Sequence, residues 1–175
     1  MFIVVIISII SLVLDGILTN FLPYMVNNLT FFTPMFTIIS VFLIFPLFCD
    51  DYKKYLIYIF ILGVIYDLFY TNLFVYDGII FLLFGLITIS IYKNFEVTKF
   101  RLLLYIVLFI CLYEFIFAFV ILLFQLVPIS FSKIFYKIGH SIIINLIYGE
   151  FVYLIINLLP KKYHTKKINS FTKII

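Results

Sequence analysis

The stretch YLIYIFILGVIYDLFYTNLF, residues 55–74, is long and oily enough to cross a bilayer, and it carries one acid, Asp67. A membrane helix needs about 20 predominantly apolar residues. An Asp at a helix centre costs about 2.5–3.5 kcal/mol on insertion scales, against a gain of roughly 0.3–0.6 from each Leu, Ile or Phe. The apolar neighbours can therefore carry Asp67 into a membrane. They give no reason for its being there, and a buried carboxylate marks either a packing contact or a functional one.

The rest of the chain has the same character. Of 175 residues, 66% are hydrophobic and 11% charged, and the mean hydropathy is +1.30, far above what a soluble core requires. The breaks between apolar stretches are too short for a soluble domain. The composition predicts one all-α integral membrane domain over residues 1–160, followed by a basic cytoplasmic tail over residues 161–175. Six transmembrane helices are expected, over residues 2–22, 31–48, 55–74, 78–92, 102–127 and 134–159. Pro23, Pro128 and Pro160 follow the first, fifth and sixth, where a proline cannot continue a helix.

Basic residues orient this bundle, because short cytoplasmic loops are enriched in Lys and Arg. With six spans and a cytoplasmic N-terminus, Lys53, Lys54, Lys93, Lys99, Arg101, Lys161, Lys162, Lys166, Lys167 and Lys173 share the cytoplasmic side, and only Lys133 and Lys137 face outward. Both ends of the chain are expected inside, with the tail against anionic headgroups of the bilayer. The net charge of +4 is accounted for by this asymmetry, and no nucleic-acid partner is expected. The first span lacks a basic n-region and a small-x-small cleavage site, so it is expected to be kept rather than removed as a signal peptide. Cys49 and Cys111 are read as small apolar side chains, without a disulfide or a metal.

Helical spacing gathers the polar residues of the spans into faces. Ser8, Ser11, Asp15 and Thr19 form one stripe, Gly63 and Asp67 lie one turn apart with Tyr66, Tyr70 and Thr71 beside them, and Ser141, Asn145 and Gly149 form a small, polar packing stripe. Glu114, with Ala118 and Gln125 on its face, lies about 18 Å along its helix from Leu102, near mid-membrane. No intramembrane Lys or Arg is expected to pair with Asp15, Asp67, Glu114 or Glu150. Protonation or hydrogen bonding is the expected means of neutralisation.

No enzyme is expected: the chain has no H-E-x-x-H, no G-x-S-x-G turn and no Gly-rich phosphate loop. His140 and Ser141 point about 100° apart around a helix, so they do not make a base and nucleophile pair. No cofactor is implied, and no convincing internal repeat is found.

Thr33-Pro34-Met35-Phe36, the turn Asp50-Asp51-Tyr52-Lys53-Lys54, and Gly63 to Asp67 followed by Tyr70-Thr71-Asn72-Leu73 resemble the bacterial rod shape-determining MreD family. The resemblance extends over the chain, with Asp15 in the first span and Glu114-Phe115 in the fifth. The chain departs from the family after Leu73, where Phe74-Val75 stands in place of a Leu-Gly pair. The resemblance implies a non-enzymatic subunit of the cell-elongation machinery in the bacterial cytoplasmic membrane. Its implied partners are the coiled-coil membrane protein MreC directly, and the MreB filament and the peptidoglycan polymerase and transpeptidase indirectly. It also implies a fold similar to the six-helix substrate-binding components of energy-coupling factor transporters. The alternative reading follows from that similarity: a vitamin-binding subunit of such a transporter. On the first reading Gly63, Tyr66, Asp67, Tyr70, Asp15 and Glu114 are the structural or partner-binding candidates.

Overall fold

The computed structural model describes residues 2–25, 33–49, 51–71, 75–123 and 131–159. Asp50, Asn72 to Phe74 and the basic tail lie outside these. Among the described residues every regular element is helical, the α-helices being α1 (Phe2–Met25), α2 (Phe36–Ile44), α3 (Tyr52–Tyr66), α4 (Tyr76–Asn94), α5 (Lys99–Leu123) and α6 (Phe131–Leu158). Four stretches, Phe2–Asn20 of α1, Tyr76–Asn94, Lys99–Val120 of α5 and Ile134–Leu158 of α6, are long and apolar enough to cross a membrane. The architecture is that of a multi-pass membrane protein.

The second apolar stretch forms a shorter helix than its 18 apolar-rich residues predict. Residues 33–35 are not helical, because Pro34 disfavours helical backbone at Thr33. At the other end Pro46, which has no N–H, falls in a 3₁₀ turn (Phe45–Phe48) that ends on Cys49 at φ 50°. The resulting α2 is apolar nearly all round, and each of its nine residues is buried, as a helix at the centre of a bundle must be. It packs against α1, α4, α5 and α6. Lipid is as apolar as leucine, so such a helix is held by close packing and by interhelical hydrogen bonds rather than by exclusion of water. Phe42, for example, packs against Tyr92, Tyr105 and Phe109 with ring centroids 5.4, 5.9 and 5.1 Å away.

The third helix starts three residues earlier than the apolar run because Asp51 caps it, its carboxylate accepting the Lys54 N–H at 3.1 Å. It then changes pitch. Asp67–Thr71 is π-helical, a form that occurs mostly as a single turn and often at functional positions. The remaining helices overrun their predicted starts by two to three residues, at Tyr76, Lys99 and Phe131 against expected starts at residues 78, 102 and 134.

Candidate functional site

A helix buried at its N-terminus has N–H groups that neither water nor lipid can satisfy, so protein must. At α2 this is done by side chains of α1 and α6. Asp15 of α1 accepts the Phe36 N–H at 2.8 Å with one carboxylate oxygen, and the Thr37 N–H at 2.9 Å and Thr37 hydroxyl at 2.7 Å with the other. Asn145 of α6 accepts the Met35 N–H at 2.8 Å and donates to the Thr33 carbonyl at 3.0 Å, while Ser141 accepts the Thr33 N–H at 3.0 Å. Pro34 has no N–H to satisfy. Every backbone donor from Thr33 to Thr37 is thus matched by a side chain chosen for it, and a negative charge sits at the positive end of the α2 dipole. One turn deeper, Ser11, Ser40 and Tyr148 hydrogen-bond to one another and tie α1, α2 and α6 together. The Tyr148 ring stacks on Phe36 at 4.2 Å between centroids.

Asp67 does the same for α4. Its two oxygens accept the Asp77 N–H at 3.0 Å and the Gly78 N–H at 3.3 Å, both in the first turn of α4. Gly63, one turn earlier on the same face, makes this possible: a Cβ there would lie 2.6 Å from the Asp77 carbonyl oxygen and 2.6 Å from Gly78 Cα. The backbones of α3 and α4 touch at that point, and only glycine leaves the room. Asp77 is itself buried and accepts the Tyr113 hydroxyl of α5 at 3.2 Å. The chain reaches this clamp through Val75, held at φ 66° and ψ 7°. That left-handed conformation is an outlier for a β-branched residue, of order 1–3 kcal/mol. Val75→Gly is expected to stabilise the protein by about 1 kcal/mol, part of the relief being offset by unfolded-state entropy. A higher thermal unfolding midpoint in nanodiscs checks this, and an unchanged or lower one contradicts it.

The remaining candidates lie at the same end of the bundle. Tyr70, on the π-helical turn, donates to the Leu12 carbonyl of α1 at 2.6 Å and packs on Gly16. The ring of Tyr66 stands 4.8 Å from that of Tyr70 and 5.8 Å from Phe81. Glu114 is paired, contrary to expectation: Lys137 of α6 lies 2.9 Å from one of its carboxylate oxygens. The count of basic residues puts Lys137 among the outer charges, but α6 starts at Phe131, so this lysine stands about 9 Å inside the helix and faces α5. Glu150 is paired as well, with Lys99 at 3.4 Å, near the other end of the bundle.

Between these groups lies a cavity of about 450 Å³, bordered by Asp15, Tyr66, Tyr70, Tyr113, Phe117 and Lys137, among others. Its walls come from α1, the segment before α2, the α3 end, α5 and α6. It lies at the end of the bundle away from Lys53, Lys54, Lys93, Lys99 and Arg101, which occupy the opposite helix ends.

No family model, curated protein or solved structure matches this chain.

Three participants are not evident from the sequence. Asp77 stands in the short polar break Tyr76-Asp77-Gly78 and reads as a loop residue; the readable signal is an acid in the first turn of the following helix. Thr37 and Ser40 read as ordinary packing hydroxyls of a weak span, with nothing local to reveal that Asp15 and Tyr148 reach them. Among the described residues no three His, Cys, Asp or Glu side chains gather as a metal site would require.

Proposed function

We propose that this chain is a six-span, non-enzymatic membrane subunit of the bacterial cell-elongation machinery. It would bind an MreC-like coiled-coil membrane protein and so help to localise peptidoglycan synthesis, with an MreB filament and the polymerase and transpeptidase pair associated indirectly. The observation that carries this reading is where the family-like residues fall. Thr33 to Phe36, Gly63, Asp67 and Asp15 all serve in helix caps or in a backbone contact, and all stand at one end of the bundle. A scaffold needs such residues, since a partner surface must hold its shape. Next to the Asp67 clamp, Leu68 and Phe69 project outward at 67% and 69% exposure; they are the apolar surface offered to a partner helix.

The experiment is Asp67→Asn and Asp67→Leu, scored for partner co-purification and for cell shape. Asp67→Leu removes both acceptors for α4 and is expected to abolish recovery of the partner and round the cells, with Asp67→Asn intermediate. Full function of both at normal protein levels contradicts the proposal.

Cytoplasmic ends follow from the grouping of basic residues at one end. In a background lacking Cys49 and Cys111, single cysteines replacing Lys54, Lys99 or Lys167 are expected to resist an impermeant thiol reagent in intact cells. Cysteines at Asn28 or Lys133 are expected to react. Labelling at position 99 contradicts six spans.

The cavity favours a second reading, the small-ligand-binding subunit of an energy-coupling factor transporter. Its volume lies within the usual range for small-molecule sites, about 300–1,000 Å³. Co-purification of ATPase subunits in place of a coiled-coil protein distinguishes the two.

A further inference from the structure

The polar groups around the cavity are not equally available. Asp15 has both oxygens engaged by α2, the Thr19 hydroxyl donates to the Asp15 carbonyl at 2.6 Å, the Tyr70 hydroxyl to Leu12 and the Tyr113 hydroxyl to Asp77. Their hydrogen bonds run into the protein. Lys137 differs. It is the cation lining the cavity among the described residues, and an ammonium has three donors, of which Glu114 takes one. Glu114 does not line the cavity. It is buried behind it, its side chain 3% exposed, and its second oxygen has no hydrogen-bond partner. The carboxylate thus tethers the ammonium at the wall from the protein side, and Phe117 supports it, with the nitrogen 5.3 Å from the ring centroid. The aromatic rings of Tyr66, Tyr70, Tyr113 and Phe117 border the same cavity.

We propose that the cavity binds a small organic anion with a flat apolar body, its acidic group on Lys137 and its ring against the aromatic walls. This deepens the ligand-binding reading and rests on it for the cavity being open to a solute, but not on the chain's belonging to a transporter. Glu114 has two effects: it positions the ammonium, and it competes with the ligand for it.

The test is equilibrium binding of tritiated 2-naphthoate, with the uncharged 2-naphthamide as comparison, to the whole protein in phosphatidylcholine nanodiscs, with empty nanodiscs subtracted. Naphthoate is expected to saturate one site and to bind at least about tenfold more tightly than naphthamide, as a charge-assisted hydrogen bond implies. Lys137→Gln is expected to remove that preference, and Glu114→Gln to tighten naphthoate binding several-fold. A merely structural ion pair predicts instead that both variants weaken binding alike, and that result overturns the proposal. The double variant Glu114→Gln with Lys137→Gln leaves no unpaired buried charge, so it is expected to fold and to bind both compounds equally. Retained preference for naphthoate in it refutes the role of Lys137. Saturable binding without charge preference in the unaltered protein refutes the anion assignment but keeps the ligand-binding reading; no saturable binding refutes both. Phosphatidylglycerol in the nanodisc identifies the source of the anion: displacement of naphthoate points to a lipid headgroup, and its absence to a free solute.

Discussion

Asp15→Ala is expected to destabilise the protein by about 3–5 kcal/mol, among the largest effects of any single substitution outside the apolar core. The change leaves the Phe36 N–H, the Thr37 N–H and the Thr37 hydroxyl without acceptors in the middle of a bundle. Each unsatisfied buried group costs roughly 1–3 kcal/mol, and relief from desolvating the carboxylate offsets part of the sum. Asp15→Asn keeps one acceptor oxygen and is expected to lose about half as much. Thermal unfolding in nanodiscs measures both. If Asp15 instead served an ion path, Asp15→Asn and Asp15→Ala would leave stability unchanged. The order Ala worse than Asn is thus the signature of a cap.

Gly63→Ala is expected to cost about 2 kcal/mol, and Gly63→Val more. Overpacking costs about 1–3 kcal/mol, and the better helix propensity of alanine returns at most about 1. What makes this position unforgiving is the identity of the neighbours: the added carbon would meet the Asp77 carbonyl oxygen, Gly78 Cα and Gly78 N, all backbone, so no side-chain rotation relieves it. Gly85 is the control. A Cβ there would meet the side-chain ends of Ile59 and Leu56, which can move, so Gly85→Ala is expected to cost less. Pushing α3 from α4 also pulls Asp67 from its two amides. Gly63→Ala and Asp67→Asn are therefore expected to be non-additive by more than about 0.5 kcal/mol in a double-mutant cycle. Additive losses would show that the glycine and the carboxylate act independently.

The legible part of this molecule was the part written in short-range spacing. Of the stripe Ser8, Ser11, Asp15 and Thr19, the first three are buried on one face of α1, while Thr19, nearer the helix end, is exposed. Gly63 and Asp67 are one turn apart and meet the same turn of α4. The prolines were less readable: α1 runs through Pro23 to Met25 instead of ending before it, Pro128 and Pro160 lie outside the described residues, and Pro34 and Pro46, inside an expected span, leave α2 shorter than hydropathy indicates. What periodicity misses is which polar groups face one another across helices: Asp15 with Thr37 at a separation of 22 residues, Glu114 with Lys137 at 23, Asp67 with Asp77 across a turn. Lys137, an outer charge by the count of basic residues, pairs with Glu114 while about a quarter exposed, and Asp77, which falls between two expected spans, is a buried partner of Tyr113. Their sequence neighbourhoods are ordinary, and their roles depend on how far each helix extends. Asp15 and Asp67 also play one role twice, each capping the helix that follows its own, with no repeat in the sequence to announce it.

Hydrogen exchange at the amides of Phe36, Thr37, Asp77 and Gly78 tests most directly whether the membrane acids are helix caps. In nanodiscs all four are expected to be strongly protected in the unaltered protein. Asp15→Asn is expected to speed exchange at Phe36 and Thr37 by tenfold or more, about 1.4 kcal/mol or greater in opening free energy, while Asp77 and Gly78 stay protected; Asp67→Asn should do the reverse. Exchange at Phe36 and Thr37 that is unaffected by the loss of the Asp15 charge would contradict the account.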